Sequence, residues 1–188
     1  VEGELNEIIS LFVLINSTGK ALTGAEKRHA KYYMSSFLKK AAQVARRYEP
    51  YFRKAQILSA GQISRMKHLE LVCELIVSGA QEGIIHKKAA LDHAMSRGGM
   101  TTREAEKGVW ATVACLNRLR KMFPNIHQTR FRKVSDFYSL AVLTQKLERE
   151  RLILTDRRRN GLAWELLETF GTGVDEVSEK CRKLQAYE

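Results

Sequence analysis

The residues best suited to chemistry crowd into one stretch near the start of the chain, "INSTGKALTGAEKRHAKYY" at 15–33. It sets an Asn, a Ser-Thr-Gly turn, a lone Lys and a Thr-Gly-Ala-Glu tetrad between an apolar run and a basic segment. Gly beside Lys invites a phosphate-binding loop. Such a loop needs a glycine-rich turn after a strand, ending in Gly-Lys-Ser/Thr at a helix start, so that backbone N–H groups surround the phosphates. Here Gly19-Lys20 is followed by Ala21, the upstream segment has helical periodicity, and no second glycine stands at the required distance. The spacing therefore favours a structural corner between helices. Thr23-Gly24-Ala25-Glu26 has capping-box spacing: Thr23 would accept from the Glu26 N–H, and the Glu26 carboxylate from the Thr23 N–H.

Other reactive side chains form no local catalytic pattern. His29, His68, His86, His93 and His127 include no pair four apart, the spacing that puts two imidazoles on one metal. His86 and His93 share a helix face with Asp92 close by, yet solvent-facing or locally bonded histidines are the plainer account. Cys73, Cys115 and Cys181 are odd in number and widely separated, which reads as small buried hydrophobes in a reducing compartment. Glu70, Glu74, Glu148 and Glu150 lie among opposite charges and read as surface pairs. No nucleophile elbow is present, although a triad assembles in space and needs no local signature.

The basic residues say more. The formal charge is +11, from 32 Lys+Arg against 21 Asp+Glu. So basic a surface points first to nucleic acid, then to an acidic protein or a membrane. Arg130, Arg132 and Lys133 crowd one segment with Phe131 between them; Arg157, Arg158 and Arg159 form a run; Lys87-Lys88 follow a helix start. Guanidinium and ammonium groups beside helix N-termini suit phosphate. A solvated charged face explains each cluster equally well alone, and only convergence on one surface would favour DNA or RNA.

Helical periodicity supplies the elements that must position these groups. Leu5, Ile8, Ile9, Phe12 and Ile15 predict a helix ending near Asn16. From Thr23, the stripe Ala30, Tyr33, Met34, Phe37, Ala41, Val44, Ala45 and Tyr48 predicts one long helix as far as Pro50. Ser59 with Gln62 predicts a second capping box, opening a helix through Val77 that is apolar on nearly every side and hence central; Gly79 and Gly83 punctuate its end. A shorter helix over 84–95 stops at Gly98-Gly99. Thr101 with Glu104 caps the next, ended by Pro124. Ser135 is expected to cap the following helix, Asp156 or Asn160 to start another, and Gly171-Thr172-Gly173 to break it before a last one. With no strand or hairpin signal, the expected fold is all-α, a single bundle-like domain over 1–188 of about eight helices.

No apolar run reaches membrane-spanning length, and "VEGELNEIIS" lacks the layout of a secretory signal, so a cytoplasmic protein without a membrane partner is expected. The opening Val reads as the start of a piece of something longer.

"FVLINSTGKALTGAEKRHAKY" resembles the F-x-R-hydrophobic-N-x-x-G-x-x-L-x-x-x-E-x-R signature of the GmrSD-like restriction endonuclease family, through Phe12, Asn16, Gly19, Leu22, Glu26 and Arg28. Leu14 stands where that signature has Arg. "RMKHLELVCELIVSGAQEG", "KKAALDHAM" and "TRFRKVSDFYSL" are similar, in order, to the helical region that follows the ParB/sulfiredoxin-like nuclease–NTPase domain of relatives. The resemblance covers most of 5–143.

It implies that the chain is the helical C-terminal portion of such a protein. Nucleotide and divalent-metal chemistry would reside in a missing N-terminal lobe, whose Asp-Gly-Gln-Gln-Arg run has no counterpart here. Residues 1–26 would form the joint to that lobe. Asn16, Gly19, Thr23 and Glu26 would shape its backbone, and Lys20 would be placed to touch nucleotide or DNA. No catalytic residue is carried over, and no cofactor is expected in this chain. The leading expectation is an accessory domain of a DNA restriction or phage-defence nuclease, contacting DNA through Lys20, Lys87, Lys88, Arg130, Arg132, Lys133 and Arg157–Arg159. The alternative is a stand-alone interaction module that docks another subunit.

Overall fold

The computed structural model describes residues 7, 9, 10, 21–152 and 157–185. Among them the chain is all-α, with no strand. In chain order the helices are α1 (Gly24–Lys31), α2 (Ser36–Lys54), α3 (Ala60–Ser64), α4 (Lys67–Gln81), α5 (Lys87–Met95), α6 (Thr102–Met122), α7 (Val134–Arg149) and α8 (Arg157–Gln185). Two 3₁₀ turns, Ile126–Gln128 and Arg130–Arg132, join α6 to α7. Of the helix expected over 5–16, only Glu7, Ile9 and Ser10 lie among the described residues, and all three are helical.

The three capping boxes form as their spacing dictates, at Thr23/Glu26, Ser59/Gln62 and Thr101/Glu104. Each satisfies two N–H groups that a helix start would otherwise leave without partners. The apolar run of α4 is central: Val72, Cys73, Leu75, Ile76 and Val77 are wholly buried, and α2, α6 and α7 pack around them. Burial raises the thiol pKa values of Cys73 and Cys115, so both stay protonated, and the Cys115 thiol donates to the Ala141 carbonyl at 3.3 Å.

Several boundaries differ from the periodicity reading, each for a local reason. The helix expected from Thr23 to Pro50 is two helices, with a break over 32–35 after which the Ser35 hydroxyl caps α2 by accepting from the Leu38 N–H at 3.4 Å. Pro50 does not end α2 but lies within it. Burial of Tyr48 and Phe52, on either side of it, outweighs one lost backbone hydrogen bond. The helix expected from Ser59 to Val77 breaks at Met66, which adopts a left-handed conformation with φ 61°.

Gly79 does not punctuate the end of α4 but sits inside it, and Glu82, also left-handed, closes the helix. Gly79 and Gly108 instead let α4 and α6 touch along their backbones. A Cβ at Gly108 would lie 2.1 Å from the Ile76 carbonyl oxygen, and one at Gly79 would lie 3.0 Å from the Ala111 Cβ. Ser135 is not the cap of α7: that position is Lys133, which makes no side-chain capping bond, while Thr129 caps the preceding turn. Asp156 lies outside the described residues, and Asn160 is inside α8. Gly171-Thr172-Gly173 does not break the chain, because α8 runs through it to Gln185. Gly171 is a packing position, where an added Cβ would come within 3.2 Å of the Arg130 Cγ.

Candidate nucleic-acid interface

The described motif residues lie at the corner where α1 meets the α3–α4 turn. Phe12, Asn16, Gly19 and Lys20 fall outside the described residues; Leu22 and Thr23 lead into α1 and are half-buried. The Glu26 carboxylate accepts from the Thr23 N–H at 2.6 Å, the Thr23 hydroxyl at 2.8 Å and Arg65 Nη2 at 2.9 Å. Arg65 also donates to the Ala21 carbonyl. The Arg65 guanidinium, then the Thr23 N–H, pull the Glu26 carboxyl down to about 2, so it is ionised at neutral pH. Two residues on, Arg28 meets Glu70 of α4 at 2.6 Å, with both side chains largely buried. Its Nε lies 3.4 Å from Asp92 of α5, within ion-pair range but without hydrogen-bond alignment. Lys67 joins on the other Glu70 oxygen. Glu26, Arg28, Arg65, Lys67, Glu70 and Asp92 each have an opposite partner inside the chain, and the Arg28 pairs tie α1 to α4 and α5.

Arg130 is mostly buried: it donates to Asp136 at 2.9 Å and to Asp175 of α8 at 3.2 Å. It was expected on a phosphate-facing surface, but instead clamps the α6–α7 connection to α8. Lys133 also reaches Asp175, at 3.5 Å. Arg132 and Lys88 are exposed, and no carboxylate of the described residues pairs with them. Lys87 opens α5, and Arg157, Arg158 and Arg159 open α8. Glu70 and Glu148, expected as surface pairs, are shielded ones; Arg118 holds Glu148 at 3.3 Å. Among the described residues no group of three or more His, Cys, Asp or Glu could hold a metal ion. No helix among them is long and apolar enough to cross a membrane.

A second basic surface arises where α2 and α6 run side by side in the same direction. Lys40 pairs with Glu106 at 2.9 Å near their starts; midway, the Tyr48 hydroxyl meets Asn117 at 2.9 Å. Toward their C-terminal ends, Tyr51 and Lys54 share a cleft with Arg120. Along this seam Arg47, Lys54, Arg120 and Lys121 are exposed, and none pairs with a carboxylate among the described residues. The Arg47 guanidinium stacks over the Tyr48 ring, 5.5 Å from its centroid. Burial raises the Tyr48 pKa, and the nearby charges of Arg47 and Arg120 oppose the shift. Cations in the last turn of a helix also complement its dipole, which accounts for Lys54, Arg120 and Lys121 in part but not for Arg47.

These four residues belong to short basic pairs, Arg46-Arg47, Arg53-Lys54 and Arg120-Lys121, on two helices joined by an ion pair across 66 positions. The sequence does not show that pairs so far apart meet on one edge. The readable signal was the helical spacing of Arg47 and Lys54, seven apart on one face of α2. Comparison with models of protein families, with curated proteins and with solved structures returns no match.

Proposed function

We propose that this chain is the non-catalytic helical portion of a GmrSD-like DNA restriction or phage-defence nuclease of the cytoplasm, contributing lobe packing and contacts to the DNA backbone. The observation that supports the backbone contacts is the α2–α6 edge, with four exposed cations that no carboxylate among the described residues neutralises. Such groups attract phosphates and release condensed counterions, giving affinity without sequence preference. Arg132 and Lys88 would add to this field; Arg130 would not, being held between two carboxylates.

The test is fluorescence anisotropy of a labelled duplex titrated with the chain at several salt concentrations. With about four phosphates contacted, the logarithm of the binding constant should fall against log salt with a slope of roughly −3 to −4. A flat salt response rejects the reading.

One observation favours the second reading, a module that docks another subunit. In α8, Ala163, Leu167, Gly171 and Val174 face the body, while Leu162, Leu166, Phe170 and Val177 line the adjoining flank and stay exposed. An apolar stripe of this length is the face one helix offers another. Under this reading, sedimentation shows concentration-dependent association that Leu166→Glu with Phe170→Glu removes. A chain that stays monomeric at every soluble concentration counts against it.

A further inference from the structure

The α2–α6 edge ends in a cleft of about 300 Å³, lined by Pro50, Tyr51, Lys54, Ala55, Arg120 and Pro124. Its walls are of two kinds. Pro50, Ala55 and Pro124 offer only carbon from their side chains, and so in effect does Tyr51: its hydroxyl is buried facing inward without a hydrogen-bond partner, leaving carbon toward the cleft. The Tyr51 ring is braced from behind by Phe52 and Phe137, with centroids 5.9 and 6.3 Å away, so this wall is rigid. Lys54 and Arg120 are the charged lining residues, and neither has a carboxylate partner among the described residues.

We propose that this cleft seats one phosphorylated nucleoside, its base against Tyr51 and the prolines and its phosphate between Lys54 and Arg120. Flat apolar walls beside two cations match a nucleotide, whose base has an apolar π-face and whose phosphate takes charge-assisted hydrogen bonds. A duplex hides its bases in the stack, so its phosphates reach the edge while its bases do not reach the cleft. A single strand presents both. The proposal rests on the reading of the edge as a phosphate-contacting surface, and adds that an unpaired nucleotide is what the surface prefers.

The experiment compares a labelled eight-nucleotide single strand, a duplex of the same sequence and free thymidine monophosphate, at one salt concentration. Pro124 and Arg120 are exposed, so their variants should fold, as thermal melts will verify. The single strand should bind about tenfold tighter than the duplex, consistent with stacking of one base. Pro124→Glu, which puts a carboxylate at the cleft mouth, should lower single-strand affinity by about tenfold while changing duplex affinity less than about twofold. Pro124→Ser, uncharged, should lower it less. Lys54→Glu with Arg120→Glu should weaken both ligands. Displacement of the strand by thymidine monophosphate identifies a free nucleotide as sufficient; failure to displace identifies the strand. If Pro124→Glu affects strand and duplex alike, or neither, the cleft does not seat a base, and the edge reading survives. If neither ligand binds at low salt, both readings fall.

Discussion

Two charged regions of this molecule have opposite fates. At the α1 corner, Glu26, Arg28, Arg65, Lys67, Glu70 and Asp92 neutralise one another. At the α2–α6 edge, Arg47, Lys54, Arg120 and Lys121 meet no carboxylate among the described residues. The corner holds helices together; the edge leaves its field open to solvent and whatever anion arrives. Charge count alone does not separate these roles. Pairing within the fold does, and it moves interest away from the motif that first attracts the eye.

Removing a charge at the corner gives the strongest test. Arg28→Ala leaves the largely buried Glu70 with only the exposed Lys67 as partner. Breaking such a pair should cost about 2–3 kcal/mol, read as a lower urea midpoint with an unchanged slope. Nucleic-acid affinity measured on the remaining folded protein should not change. If binding falls while stability holds, the division between the regions is wrong.

Reversing the edge should do the converse. The triple variant Arg47→Glu, Lys54→Glu, Arg120→Glu should lose roughly 100-fold in duplex affinity, about 2.7 kcal/mol of binding free energy. Its melting temperature should change little, because relief of like-charge crowding at exposed positions offsets the lost last-turn cations and the Arg47–Tyr48 contact. A large drop in melting temperature would show that these cations hold the fold and that the edge resembles the corner.

How much of this was readable beforehand follows from the range of the forces involved. Capping boxes act over three residues, so all three were legible, as was the centrality of α4 from its unbroken apolar composition. The all-α class followed from periodicity. Pro50 inside α2 and the continuity of α8 through Gly171 were not legible, because tertiary contacts decide them: burial of Phe52 in one case, the close approach to Arg130 in the other. The same limit applied to the candidate site. The cluster 130–133 stood out in sequence, yet Arg130 finds Asp175 45 positions away. The edge cations came together only when α2 packed along α6.

A smaller effect separates two capping boxes with the same local chemistry. Thr23→Ala and Thr101→Ala each remove a side-chain cap, worth about 1 kcal/mol. The Thr23 box is also tied to Arg65, whereas the Thr101 box is exposed and makes no tertiary bond among the described residues. Thr23→Ala should therefore cost more, by about 0.5 kcal/mol, in parallel chemical denaturation. Equal costs would mean that the Arg65 contact adds nothing to the corner.

The subtlest distinction is in pH. The Arg65 guanidinium and the Thr23 N–H hold the folded-state Glu26 pKa at about 2, below its ordinary value of 4.5. A lowered carboxyl pKa contributes stability that is fully present above the unfolded value and is lost as pH falls toward the folded one. The corner should thus weaken between pH 4.5 and 2, and Glu26→Gln should remove that part of the acid dependence, because the unfolded chain no longer takes up a proton there. The edge is made of Arg47, Lys54, Arg120 and Lys121, with no carboxylate or histidine among them. Duplex affinity should therefore stay level from pH 5 to 8, where Glu26 remains ionised and the fold intact. A binding curve that rises on acidification within that window would place a titrating group such as histidine at the interface, and the edge would no longer account for binding by itself.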